Sequence, residues 1–217
     1  MERFMLIRLV GLLAFLIGAN SVAEPYTVLF VDQNDQPIEY VVAMDPAVPL
    51  DPSSVQQAPA IMDQVDMQFS PMVIAVQKGR KVSFPNSDNI RHHVYSFSEA
   101  KRFETKLYAN TPDSPIVFDQ PGLVVLGCNI HDTMIGYIYV SETQAFSVSD
   151  KKGKAEIHSS AIPEKIEYWH PWSDQPNKVQ AKVVSKWPEN NVHTIKLTVN
   201  RPQVNTNSAK KRFGNRW

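Results

Sequence analysis

The sequence of 217 residues has a single cysteine, Cys128. One cysteine excludes an internal disulfide, and with it the stapled frameworks of small exported domains. Charge of either sign is not in excess: 22 basic residues face 22 acidic ones. A balanced chain has no bulk pull toward nucleic acid or an anionic membrane. After the first twenty-odd residues there is no long apolar run, and nowhere is there a long apolar pattern of period 3.6. Helical bundles are therefore excluded, and glycine is sparse, with 8 residues against 16 prolines.

What is present begins with an export signal. Arg3 and Arg8 give a positive start, Leu9 to Gly18 is apolar but too short to span a bilayer, and Ser21-Val22-Ala23 is a small-x-small cleavage site. Residues 1–23 read as a secretory signal peptide, with a mature chain from Glu24 in the periplasm and no stable membrane insertion after cleavage. The removed segment holds two arginines and one glutamate, so the mature net charge falls from 0 to −1. At the far end Lys210, Lys211, Arg212 and Arg216 make residues 201–217 a basic, solvated tail.

Between these ends the pattern is all-β. Short alternating segments recur at Tyr26–Val31, Ile38–Val42, Val73–Val76, Lys81–Phe84, Val94–Phe97, Leu123–Cys128, Met134–Val140, Ala145–Val148, Ala181–Ser185 and Thr194–Val199. Turn residues separate them at Asn34-Asp35, Lys78-Gly79, Gln120-Pro121-Gly122 and Asp150 to Gly153. Short strands at this spacing make a sandwich or barrel. The proline-rich stretch Asp45 to Ala60 reads as a linker, and residues 99–110 have room for a turn or two of helix. No internal repeat is present.

The chemistry gathers at Cys128-Asn129-Ile130-His131-Asp132-Thr133-Met134. Taken singly, Met134 is core filler, His131 a loop histidine and Cys128 a small buried thiol. Together they place a thiolate, an imidazole and a thioether on one strand–turn–strand. Side chains alternate with period two, so Val124, Leu126 and Cys128 share one face, as do Met134, Gly136, Ile138 and Val140. If both faces point to one core, the three donors meet at one end of a sandwich with His131 at the tip of the connecting loop. Soft sulfur with imidazole suits copper, and a trigonal His₂Cys set with a weak axial Met is the blue-copper arrangement. The second histidine must come from elsewhere, and His92-His93 offers it. Parity leaves the choice open: His92 aligns with Val94 and Ser96, His93 with Tyr95 and Phe97.

Here the sequence resembles the cupredoxins. The Cys128 to Met134 loop is similar to the ligand loop of amicyanin-like members, although Ile130 and Asp132 stand where those loops carry proline. Val82-Ser83-Phe84-Pro85-Asn86 followed by His92-His93-Val94 is similar to the cupredoxin strand whose Asn precedes the first ligand histidine by six. The wider pattern resembles exported proteins labelled "methylamine utilization protein". The resemblance implies one type 1 copper ion on His92, Cys128, His131 and Met134. It places Asn86 and His93 around that set, with the Asn86 amide tying the His92 loop to the Cys128 loop and backbone N–H groups bonding the thiolate. It implies a cupredoxin Greek-key sandwich over 61–141 and a redox protein partner, such as a c-type cytochrome or periplasmic dehydrogenase. That partner would dock at the exposed edge of His131, with Ile130, Ile135 and Pro115 in the docking patch.

The flanks resemble a second, transthyretin-like or carboxypeptidase-regulatory-like sandwich. Residues 24–60 supply an opening hairpin and linker, residues 142–200 the later strands, and the copper unit is inserted between them. The competing arrangement makes the N-terminal hairpin an extra layer on the copper unit. Tyr168-Trp169-His170-Pro171-Trp172 reads as core aromatics and a turn, or else as a docking or carbohydrate patch. Met62, Met67 and Met72 fit no single strand face and read as packing. The six histidines contain no His-x-His pair, so the further copper sites of an oxidase or nitrite reductase have no visible ligands. The chain therefore reads as an electron carrier and not an enzyme. A copper carrier or sensor without electron transfer, and an adhesive sandwich with incidental copper, are the competing functions.

Overall fold

The structure is a computed structural model describing residues 25–112, 114–159 and 161–202. The expected signal peptide at 1–23 and the basic cluster Lys210 to Arg216 lie outside the described residues. No helix among the described residues is long and apolar enough to cross a membrane. Apart from one 3-10 turn at Pro52–Ser54, every described element is a strand.

Two sheets enclose the core that contains Cys128. One runs Val73–Gln77, His131–Ser141, Gly122–Cys128, Val94–Ser98, Lys101–Glu104 in spatial order, and the other runs Ile116–Val117, Lys81–Ser83, Ala60–Ile61. Alternation decides what faces inward. Val124, Leu126 and Cys128 from one strand meet Met134, Ile138 and Val140 from the next, with Val82, Phe84 and Phe118 opposite. A short hairpin, Asp63–Val65 with Gln68–Ser70, lies alongside, and the Phe69 ring covers Gly136 so closely that a β-carbon there would sit 2.8 Å from it.

Two further sheets enclose a second core. Tyr26–Val31 pairs antiparallel with Lys154–Ile157 and parallel with Val192–Lys196. Val42–Met44 lies between Phe146–Val148 and Lys165–Trp169, which pairs in turn with Gln180–Val183. Val28, Phe30, Ile38, Ala43, Ile157, Ile166, Tyr168 and Ile195 fill the space between these sheets. Strands from the beginning and the end of the chain thus share one core.

The continuous apolar run Val41-Val42-Ala43-Met44 is buried throughout because its sheet is covered on both faces. Ala43 points into the second core, whereas Val42, Met44 and Trp169 point into a third cluster against Val73, Leu123, Tyr137 and Tyr139. The Trp169 ring packs, tilted, at 5.5 Å from Tyr137 and 6.4 Å from Tyr139 between centroids. The Tyr168 to Trp172 segment is therefore largely interior, and His170 is buried as well.

Several expectations change. Residues 101–104 form a strand and not a helical turn, paired with Val94–Ser98 and folded back at Glu99-Ala100. The stretch from Asp45 is no free linker at its start: Asp45 is buried, Val48 packs against the second core, and the backbone carbonyls of both lie within hydrogen-bond reach of the Thr143 hydroxyl. Met62 is fully buried and Met72 partly so, as packing requires, but Met67 is about half exposed on a turn.

Candidate metal centre

Cys128 ends one strand and His131 begins the next, facing each other across the two-residue turn Asn129-Ile130. His131 is thus the first residue of the return strand, opposite Cys128, and not the loop tip that its place in the sequence suggests. The next pair in the ladder is Gly127 with Ile135, so Asp132, Thr133 and Met134 bulge outward from the register. A bulge re-aims side chains. This one returns Met134 to the inward face, where it is buried in the same core as Cys128.

His92 enters from the segment just before the neighbouring strand, Val94–Ser98. Val94 pairs with Cys128, and His92 itself is held by two 2.9 Å backbone hydrogen bonds with Tyr108. The His92 Nδ1 lies 3.5 Å from Cys128 Sγ, and the His131 Nδ1 lies 3.7 Å from the same sulfur. The three donor atoms all fall within 4.8 Å of one another. Two ligands about 2.0–2.3 Å from a transition-metal ion, at trigonal or tetrahedral angles, stand roughly 3.5–4 Å apart. The observed spacing fits a metal ion, and one sulfur with two imidazoles is a donor set for copper. His92 is wholly buried, Cys128 nearly so, and His131 only partly.

His93 does not join this group. Its Nε2 lies 3.0 Å from a Glu104 carboxylate oxygen on the adjacent strand. The Asn86 amide donates to the carbonyls of Ile90 (2.8 Å) and Tyr108 (3.2 Å). It therefore braces the His92 loop internally and against Tyr108. The link to the Cys128 loop is made instead by backbone, through Asn129 N–H donating to the His93 carbonyl at 3.2 Å. The Cys128 sulfur faces both imidazoles, at 3.5 Å and 3.7 Å.

Sequence reasoning missed three participants. Asp88 places a carboxylate oxygen 2.6 Å from His92 Nε2. Partial burial raises the Asp88 pKa, but hydrogen bonds from His92 and from the Met67 and Asp66 backbones outweigh it and hold the carboxyl below its ordinary range. Tyr108 donates its hydroxyl to the Phe84 carbonyl at 2.8 Å, and burial pushes its pKa up to about 12, so it stays a neutral donor. The Gln64 amide donates to the Tyr108 oxygen and to the Pro85 carbonyl. The only signal of these roles in the sequence is a turn-like Asn-Ser-Asp-Asn run, which reads equally well as surface.

The expected docking residues separate. Ile130 is half exposed and borders a hollow with His93, Leu107 and Lys106. Ile135 borders a different open hollow of about 550 Å³, lined also by Tyr95, Phe97, Val125 and Asp132. Pro115 is half-buried and borders neither of these hollows.

No family model matches the chain, and no curated protein matches it. Solved structures do. A copper-containing nitrite reductase from Thermus scotoductus SA-01 aligns at 25% identity and a TM-score of 0.38, over 53% of this chain and 28% of that one. The chain thus spans less than a third of that enzyme. A reduced Cu(I) form of an amicyanin mutant aligns at 16% identity and a TM-score of 0.35, over 46% of this chain and 98% of that one. A purple cupredoxin from Nitrosopumilus maritimus aligns at 21% identity and a TM-score of 0.34, over 39% of this chain and all of that one. With its all-β architecture and its His–Cys–His group, this chain is similar in part of its length to the cupredoxins.

Proposed function

We propose that this protein is a type 1 copper protein that carries single electrons between redox partners in the periplasm. The observation that carries the reading is the meeting of His92, Cys128 and His131 donor atoms beside the buried Met134. His92, Cys128 and His131 would hold the ion, with Met134 as the weak fourth donor. A bound copper supplies a one-electron couple with no proton transfer required of the protein. The chain's own contribution is to fix the donors before the metal arrives. Cys128 and His92 are locked by backbone pairing, and the buried sandwich keeps water from the thiolate. His131 is the least covered of the three donors, and a partner can approach on its side.

The cupredoxin-like unit is read as residues 61–141, inserted in a flanking sandwich of residues 24–60 and 142–200. The histidines favour the carrier reading over an enzymatic one. His158, His170 and His193 all lie outside 61–141, and His93 is paired with Glu104.

The test is to add cupric ion to the mature chain and record visible and electron paramagnetic resonance spectra. An intense thiolate-to-copper band with narrow copper hyperfine splitting, abolished by Cys128→Ala, is expected. Weak colour and an ordinary tetragonal signal that survive Cys128→Ala would reject the reading. Tight but redox-silent copper would favour a carrier or sensor.

A further inference from the structure

The Asp88 carboxylate meets three donors. Its Oδ1 accepts the Asp66 backbone N–H at 2.6 Å, and its Oδ2 accepts the Met67 N–H at 3.0 Å and faces His92 Nε2 at 2.6 Å. An ionised carboxylate can only accept, so the proton of the His92 ring lies on Nε2 and the Nδ1 lone pair points to Cys128. Asp66 and Met67 both have positive φ, 52° and 58°, and form the two-residue turn of the hairpin Asp63–Val65 with Gln68–Ser70. That conformation presents successive N–H groups to one anion. The turn is itself tied down at two points: Asp63 accepts the Ser87 hydroxyl at 2.7 Å, and Phe69 is buried against Gly136 on the strand that carries Met134.

We propose that Asp88 is a positioning residue for the metal centre. Anchored by the Asp66-Met67 turn, it fixes the His92 ring with Nδ1 toward Cys128, and its negative charge favours the more highly charged oxidation state of the bound ion. This rests on the copper reading above. The physical reason is local. His92 has no solvent exposure and the Asp88 side chain only 11%, so the charge acts through little water. Carboxylate partners of ligating histidines fix the ring and raise its basicity. A simple turn-anchoring role for Asp88 would use its two oxygens for the Asp66 and Met67 N–H groups, with no need to face Nε2 as well.

The test compares the full mature chain with Asp88→Asn, Asp88→Ala and, as a control for the same loop, Asp63→Asn. Asp88→Asn keeps an oxygen for His92 and sacrifices one turn contact at Asp66. The expected result is a more positive midpoint potential and a cupric affinity about 10- to 100-fold weaker, with a smaller loss for cuprous ion and no change in Asp63→Asn. A metal-free readout runs beside it: nitrogen-15 shifts should show His92 protonated on Nε2 in the parent and a tautomer mixture in Asp88→Ala. An Asp88→Asn protein with the parent's potential and cupric affinity would overturn the proposal. So would an unchanged His92 tautomer in Asp88→Ala. Failure of the parent to give the thiolate band would sink the copper reading instead, and the metal-free shifts would still judge the clamp. If Asp88→Ala does not fold, the potential of Asp88→Asn decides.

Discussion

Three histidines show how a single position changes the chemistry of one side chain. His92 and His93 are neighbours, yet one is sealed against Cys128 and the other pairs with Glu104 at the surface. His92→Ala should abolish the thiolate-to-copper band, and His93→Ala should leave its position unchanged, as a visible spectrum of each variant will show. Parity in the sequence could not separate them, because it does not say which face is inward; the structure buries Val94 and Ser96, and His92 with them. His170 is almost wholly buried, and its pKa is lowered from 6.5 to about 4, by burial first and by Arg201 to a smaller extent. The folded state therefore resists protonation that the unfolded chain accepts. Stability is full above pH 6.5 and declines as the pH falls toward 4, by about 3 kcal/mol from this residue. Urea unfolding at pH 7 and pH 4.5 should show the loss, and His170→Gln should flatten that part of the slope. Asp88 was illegible for a different reason: its anchors Asp66 and Met67 are 22 and 21 residues away on a turn whose position no periodicity reveals.

Elements were legible where alternation was strict and hidden where it was overridden. The pairs Val124, Leu126, Cys128 and Met134, Ile138, Val140 could be placed on inward faces from the sequence alone. The bulge that makes both faces converge could not, since Asp132 and Thr133 look like ordinary strand or loop residues. Residues 99–110, rich in Glu, Lys and Ala, have helical leanings, but pairing with Val94–Ser98 makes Lys101–Glu104 a strand, with Phe103 packed on Phe84. The Asp150 to Gly153 turn was readable because aspartate and glycine are its chemistry. Gly153 has φ of 75°, and a β-carbon there would lie 2.4 Å from the Phe30 carbonyl oxygen. Gly153→Ala should cost about 2–3 kcal/mol, seen as a lower denaturant midpoint, with the metal spectrum of the surviving folded protein unaltered.

At the scale of the molecule, the sequence announced short strands but not their partners. Parallel pairing of Thr27 with Val192 or Tyr137 with Val73 leaves no local trace. The seam where Trp169 meets Tyr137 and Tyr139 was visible only as an aromatic cluster with two readings. Trp169→Ala removes a fully covered ring and its indole donation to the Pro176 carbonyl. A loss of about 3–5 kcal/mol is expected, with faster proteolysis of the Val42–Met44 and Lys165–Trp169 strands and little change at Cys128.

Gln33 exchanges two hydrogen bonds with the backbone of Val199, 166 residues further along. The strand Tyr26–Val31 therefore emerges from the ribosome long before Val192–Lys196 exists to flank it. The core around Cys128, by contrast, draws on residues between Ala60 and Val140 alone. Nascent chains should complete the thiolate pocket first and close the outer sheet last. In the interval Val28 and Phe30 lie bare on an unpaired strand, a vulnerable moment for aggregation and a natural point of engagement for a chaperone.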